Sequence, residues 1–364
     1  MSNIELLSKL ISVAFMLAVI IQAAPLMAWV ERRGSAMIQN RKGPNRIGPF
    51  GLFQSIADGI KFAFKEDRTP GHVNKFYYTL APLVSMIPTL LGAAVIPFAK
   101  PLEIGGEIMK FQIADLNVGL LYVYSIASLG IYGIIMGGWA SNNKYALLGS
   151  IRSSSQMISY ELSLGMSVVG IIMTFASVNL NEIVAAQGQL VTHIGALQMP
   201  EWLHIPKWGI FVQPIGFLIF LACGFAETNR LPFDLPEGES EIVAGYHLEY
   251  GSLKFAMFQI AEYGNMTIVS AMASTMYFGG WHGLEWVTKF LPFQGMELAV
   301  ASTVLSIAAF MLKVSLFMWF FVWVRWTLPR FRYDQVMDLG WKVMLPLSLL
   351  NVFGTGVAIY LGWI

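Results

Sequence analysis

Eight stretches of this chain run without a charged side chain, apart from Lys313 inside the seventh: residues 10–30, 76–99, 116–143, 162–181, 208–226, 263–284, 299–324 and 343–364. A helix needs about 20 predominantly apolar residues to cross the hydrocarbon core of a bilayer. Stretches of this length and number leave little room for a soluble core. The fold expected is an all-α membrane protein with eight transmembrane helices, residues 1–364 forming a single integral membrane domain. Composition agrees: 12% of the 364 residues are charged, against about 25% in soluble domains. The net charge of +1 offers no field for a nucleic-acid partner. No short signal peptide with a small-residue cleavage site is evident, and the first apolar stretch is long enough to remain as a helix.

Charge placement sets an orientation. Loops one, three, five and seven, with their helix ends, carry most of the 23 Lys and Arg. By the positive-inside rule this is the cytoplasmic or matrix side, so with an even number of spans both termini face the other side. The first basic-side loop, about residues 31–75, holds Phe53, Ile56, Ala57, Ile60 and Phe64 at helical spacing, with Asp58, Lys61 and Lys65 on other faces. That pattern predicts an amphipathic helix lying in the interface plane. The Gly/Pro-rich segment 43–51 before it is not regular helix. A kinked loop beside an interfacial helix can frame a lateral opening for a lipid-soluble substrate.

Ionisable groups concentrate where apolar stretches end. The acidic loop, about 227–252, carries Glu227, Asp234, Glu237, Glu239 and Glu241 against Arg230. A solvated acidic face is the plain reading. Against it, the loop also contains Leu231, Pro232, Phe233, Leu235 and Pro236, which gain by burial. Glu161 and Glu262 stand beside or within apolar stretches, and a carboxyl at membrane depth is a functional candidate by default. With the loop they can form a hydrated chain that passes protons, provided neighbours lie within hydrogen-bond or one-water reach. Glu31 and Glu227 are open between this role and a simple interfacial one. Lys313 is open between snorkelling, pairing with a carboxylate and a structural role. Cys223 is the sole cysteine, the five histidines are scattered, and no Gly-rich nucleotide loop occurs. The chain therefore is not expected to hold an iron–sulfur cluster, haem, nucleotide or metal, and electrons for any coupled reaction must come from a partner.

Several segments carry a family resemblance: Trp29-Val-Glu-Arg-Arg, Arg41-Lys-Gly-Pro-Asn-Arg-Ile-Gly-Pro-Phe-Gly, Ala57-Asp-Gly-Ile-Lys, Ser159-Tyr-Glu-Leu, the run from Ala226 through Glu241, Ala261-Glu-Tyr, and Arg325-Trp-Thr-Leu-Pro-Arg-Phe-Arg-Tyr-Asp-Gln. In order and over nearly the whole chain, these resemble the quinone-chamber membrane subunit of respiratory complex I, the proton-translocating NADH:quinone oxidoreductase. The resemblance implies a component of the bacterial inner membrane with periplasmic termini. Its partners would be hydrophilic-arm subunits carrying NADH, FMN and iron–sulfur clusters, small and antiporter-like membrane subunits, and lipids. It implies a quinone substrate, ubiquinone or menaquinone, and a translocase to which the isolated chain contributes no redox catalysis of its own. It places Arg32, Asp58 and Arg325 at the quinone tunnel. It assigns Glu161, Glu227, Glu237, Glu239, Glu241 and Glu262 to the proton path, with Arg230 as the acidic loop's partner. Two other readings compete. A related hydrogenase-type subunit would sit beside a hydrogenase large subunit. A stand-alone ion-coupled transporter would show an inverted internal repeat, and no clear repeat is found.

Overall fold

The structure, a computed structural model, describes residues 3–104, 107–191, 193–194, 197–198, 205–235, 238, 242–290, 292 and 294–363. In chain order its helices are α1 (Asn3–Ile38), α2 (Gln54–Phe64), α3 (Lys75–Gly92), α4 (Gly119–Ala140), α5 (Lys144–Phe175), α6 (Leu180–Gln187), α7 (Gly209–Val212), α8 (Pro214–Glu227), α9 (Ser252–Tyr277), α10 (Met296–Thr327), α11 (Tyr333–Asp338) and α12 (Leu345–Tyr360). A π-helical turn, Leu339–Met344, joins the last two. The loop after α3 forms an antiparallel hairpin of β1 (Leu102–Ile104) and β2 (Glu107–Met109). Two-residue pairings tie Leu190–Val191 to Ile205–Pro206 and His193–Ile194 to Leu197–Gln198.

Among the described residues six helices are long and apolar enough to cross a membrane: Leu6–Ile38, Lys75–Val95, Gly119–Ala140, Lys144–Phe175, Met296–Thr327 and Tyr333–Tyr360. The fifth and sixth expected stretches are helical too, but differ in kind. α8 has 14 residues, about 21 Å at the helical rise. It adjoins α7 across Gln213, whose backbone (φ −130°, ψ 57°) breaks the helix. α9 is the most inward helix, with nearly every residue from Ala261 to Tyr277 buried. Its polarity is absorbed locally: Thr267, Ser270 and Thr275 donate to the carbonyls of Tyr263, Met266 and Ala271, one turn back, as hydroxyls do in helix interiors.

The expected boundaries differ most for α5. The charge-free stretch begins at residue 162, whereas the helix begins at Lys144, where the Asn143 side chain caps it by accepting from Tyr145 N at 2.9 Å. Arg152 and Glu161 are thus interior to the helix. α1 and α10 likewise run past Glu31 and Arg325. Helices that continue beyond the apolar layer carry their charges with them, so a charge marks the edge of that layer rather than the end of the helix.

α9 packs on α3, α1 and α10, while α5 packs on α4, α8 and α12. α3 and α4 approach closely at Gly133, where a Cβ would lie 2.2 Å from Ser85 Oγ and 2.6 Å from Ser85 N. Small residues at such crossings are the usual source of membrane helix packing. The main core gathers around α9. A smaller one lies under the basic-side loops, where Tyr78 stacks on Tyr250 at 4.2 Å between ring centroids.

Candidate functional site

The charged residues converge at one place. Arg230 leaves α8 through a turn in which Asn229 takes a left-handed backbone (φ 51°), a conformation asparagine tolerates better than most residues. Its guanidinium reaches Glu262 of α9, Nε to Oε1 at 2.9 Å, and Glu31 of α1, Nη1 to Oε1 at 3.5 Å. Arg325 of α10 pairs with the same Glu31 oxygen. The Tyr263 hydroxyl donates to Glu31 Oε2 at 2.7 Å, and the Arg230 guanidinium lies over the Tyr263 ring at 4.4 Å. The side chains of Arg230, Glu262 and Glu31 are 7%, 10% and 13% exposed. At that burial ions persist only when paired. Two arginines and two glutamates make the group neutral when all are ionised.

A cavity of about 30 Å³ touches this cluster. Its lining includes Glu262, Glu227, Thr228, Asn229, Asn265 and Tyr246, and it is large enough to hold water. Glu227 and Glu262 therefore line one small cavity, whose wall also carries Ile134, Met157, Phe258 and Ala261. Glu161, on α5, is outside the cluster, although its charge and that of Glu227 act on one another.

A second group ties α1 to α2. Arg32 donates from Nη1 to Asp58 Oδ2 at 2.6 Å, and Gln54 Nε2 donates to Asp58 Oδ1 at 3.1 Å. Trp29 Nε1 and Arg33 Nη1 both donate to the Phe50 carbonyl, at 3.1 and 2.8 Å, fixing the Gly/Pro-rich segment against α1. At the other end of α2, Ser252 Oγ donates to the carbonyls of Phe62 and Lys65. These are terminal carbonyls that a helix leaves without donors. α2 is thereby held between α1 and the start of α9, with Ile56, Ile60 and Phe64 exposed.

The acidic loop has a third set of contacts. Asp234 accepts from Arg330 Nη2 at 3.0 Å, and Phe331 N donates to the Pro232 carbonyl at 3.1 Å. Burial pushes the Asp234 carboxyl above the usual range, against the pull of Arg330, Arg325 and Arg230. Burial also pushes His247, in the same loop, below the usual imidazole range, against Glu262 and Asp234. As expected, Phe233 and Leu235 are buried. Glu237, Glu239 and Glu241 lie outside the described residues.

Sequence reasoning gave Arg230 to the acidic loop, whereas its guanidinium sits on Glu262 and Glu31, and Arg330 pairs with Asp234 of that loop; it grouped Arg32 with Asp58, and these two side chains are in contact. It grouped Arg325 with the latter pair, whereas the guanidinium sits on Glu31. It left Glu31 undecided and did not single out Tyr263, Arg330 or Gln156. Each of the first three stands in a quoted segment: Trp29-Val-Glu-Arg-Arg, Ala261-Glu-Tyr and Arg325-Trp-Thr-Leu-Pro-Arg. Lys313 pairs with no carboxylate among the described residues. Its ammonium donates to the carbonyls of Phe278 (2.6 Å), Gly280 (2.9 Å) and His282 and lies 4.8 Å from the Trp208 ring centre.

The NADH dehydrogenase family profile matches residues 10–356. The chain belongs to the NADH dehydrogenase family. Relatives share its full length. The first H-type subunit of the NADH-quinone oxidoreductase of Cytophaga hutchinsonii is 45% identical over 98% of each chain. The H-type subunits of the same oxidoreductase in Bdellovibrio bacteriovorus and Thermomicrobium roseum are 45% and 46% identical, over 94% of this chain and 93% of each relative. In this chain the segments that carried the resemblance, from Trp29 to Gln335, hold the residues that meet at the Glu31–Arg230–Glu262 cluster and the Arg32–Asp58 pair.

Proposed function

We propose that this chain is the membrane subunit of an NADH:quinone oxidoreductase that forms the quinone tunnel at the junction with the hydrophilic arm. We further propose that it passes the consequence of quinone reduction to a path of carboxylates. The observation that carries the reading is the buried, charge-balanced cluster of Glu31, Arg230, Glu262 and Arg325, with Glu262 and Glu227 lining one shared cavity.

The chemistry follows from that arrangement. Reducing a quinone to a quinol takes two electrons and two protons. The electrons come from a cluster in a partner, and the protons leave a local deficit of positive charge. Arg32 and Asp58 hold α1 and α2 together beside the exposed apolar face of α2, where an apolar tail can enter from the bilayer. A change of charge at the headgroup alters the field at Glu31. Glu31, Glu262 and Arg230 share one hydrogen-bonded and ionic set, so protonating one carboxylate changes the pairing of the others. The cavity offers a single-water step between Glu262 and Glu227. Glu161 and the Glu237, Glu239 and Glu241 series extend the path towards the neighbouring membrane subunits. In this reading eight spans cross the membrane, α7 with α8 serving as the fifth and α9 as the sixth. α2 lies in the interface, both termini are periplasmic, and the complex is a proton translocase whose redox groups belong to its partners.

The test compares NADH oxidation by membranes carrying wild type or Asp58→Asn, using a quinone analogue and a water-soluble acceptor that takes electrons upstream. Asp58→Asn is expected to retain the soluble-acceptor rate and to lose about tenfold with the quinone, the cost of one charge-assisted contact. Equal retention of both rates contradicts the assignment of Asp58 to the quinone entrance. Loss of neither rate even in a strain lacking the chain returns a hydrogenase-type or transporter role to the front.

A further inference from the structure

We propose that Gln156 is the positioning residue of the acidic loop: its amide fixes where α8 ends and so holds Glu227 and Arg230 in register with Glu262. This rests on the proposed quinone-linked function and names a residue through which that site is set.

Gln156 is fully buried on the face of α5 that α8 packs against. Its Nε2 faces three acceptors of the loop: the Ala226 carbonyl at 2.8 Å, the Phe233 carbonyl at 3.0 Å and Asn229 Oδ1 at 3.3 Å. The three acceptors bracket the functional residues. Ala226 directly precedes Glu227, and Asn229 directly precedes Arg230. Phe233 closes the turn in which its own N–H donates to the Arg230 carbonyl at 2.8 Å. Ala226 belongs to the last turn of α8, whose carbonyls lack intrahelical donors. The Ala226 carbonyl otherwise has only turn bonds from the N–H groups of Thr228 and Asn229, and the Phe233 carbonyl one from Leu235 N, so the Gln156 amide adds the one donor that ties all three oxygens together.

The side chain must donate here rather than accept. Among the described residues Gln156 Oε1 accepts no hydrogen bond, so the donor end, not the acceptor end, dictates how the amide sits. An ionised carboxylate of the same shape would turn two acceptor oxygens towards three more. An aliphatic side chain would leave Asn229 Oδ1 without this donor and the Ala226 and Phe233 carbonyls with backbone turn bonds alone, such as those from Asn229 N at 3.4 Å and Leu235 N at 2.9 Å. The next turn of the same helix continues the support: Tyr160 donates to the Val336 carbonyl at 2.8 Å and packs on Phe233. One face of α5 thus holds both the acidic loop and the segment after α10 that supplies Arg330.

The experiment uses the assembled enzyme in native membranes, with Gln156→Leu, Gln156→Glu and Glu262→Gln. Each is assayed with a short-chain quinone analogue and with a water-soluble acceptor, from mildly acidic to neutral pH. Gln156→Leu is expected to keep the soluble-acceptor rate, to lose about tenfold in kcat with the quinone, and to keep its quinone KM. Gln156→Glu is expected to recover towards wild type on acidification, as its carboxyl regains a proton to donate. A merely structural role would lower both acceptor rates together, leaving their ratio independent of pH, and that result overturns the proposal. Wild-type quinone kinetics in Gln156→Leu alongside impaired Glu262→Gln overturn the positioning role and leave the proposed function standing. Wild-type quinone kinetics in both overturn the function as well. Should Gln156→Leu fail to assemble, the Gln156→Glu profile decides: acid recovery of the quinone-to-soluble ratio supports the role, and a flat ratio overturns it.

Discussion

Arg230, buried, and Lys313, partly buried, are two cations satisfied in opposite ways. Arg230 has a planar fork that serves Glu262 and Glu31 at once while stacking on Tyr263, the geometry for which arginine is suited and lysine is not. Lys313 has a point charge and takes three backbone carbonyls instead. These carbonyls belong to the turn just past the end of α9, so the ammonium ties that turn to α10. Lys313→Met is therefore expected to destabilise the assembled complex by about 1–3 kcal/mol, seen as a lower temperature of thermal inactivation. The ratio of quinone to soluble-acceptor activity in the surviving enzyme should not change. A variant that keeps its thermal stability but loses quinone activity alone would assign Lys313 to the reaction path. The sequence shows that such a cation is unusual but not what meets it, because its partners are backbone atoms, which leave no pattern in residue types. Arg230 was legible for the converse reason: its partners are carboxylates, and they stand out against an apolar background.

Elements were legible through their apolar runs, and less so through their ends. Charge gaps located the helices α1, α3, α4, α10 and α12, and the spacing of Phe53, Ile56, Ile60 and Phe64 located α2. They missed the first part of α5, because Arg152 and Glu161 sit inside a helix that extends beyond the apolar layer. The gaps also did not reveal the break at Gln213, which depends on a backbone turn. Away from the basic side, the start of α6 is fixed by a polar corner. Asp115 accepts from Asn179 Nδ2 at 3.0 Å and Asn181 Nδ2 at 3.2 Å, and pairs with Lys110. Burial alone would raise this carboxyl, but hydrogen bonds from Lys110, Asn179, Gln112 and Asn181 outweigh it and hold it at about 2. A depressed carboxyl stabilises the fold above its unfolded pKa of about 3.9, and that contribution is lost as pH falls through about 2. After solvent screening the corner is worth about 1 kcal/mol. Asp115→Asn is expected to speed amide hydrogen exchange at residues 115–119 and 179–183 about fivefold at neutral pH. The gap from wild type should close on acidification through the window from about 4 to about 2. Equal exchange at neutral pH would mean that the ionised corner contributes nothing.

At the scale of the whole molecule, charges from three helices and one loop meet at a single buried place, although they are far apart in the sequence. Glu31 and Arg325 are 294 positions apart. The six apolar helices state that the chain is built for a bilayer. The family match and full-length relatives give the lineage, and the cluster gives the reading its physical content. What the sequence could not supply was the closure of this set. Proximity across α1, α9 and α10 is a property of packing; the acidic loop and Glu262 announced that charge would be buried, but not what would meet it. The direct test is Glu262→Gln in the assembled complex reconstituted into proteoliposomes. NADH oxidation with the soluble acceptor, quinone reduction and proton translocation would be measured on one preparation. A path through Glu262 predicts a retained soluble-acceptor rate and a quinone-linked proton flux at least about tenfold lower. An unchanged number of protons moved for each NADH oxidised, at an unchanged quinone rate, would contradict it.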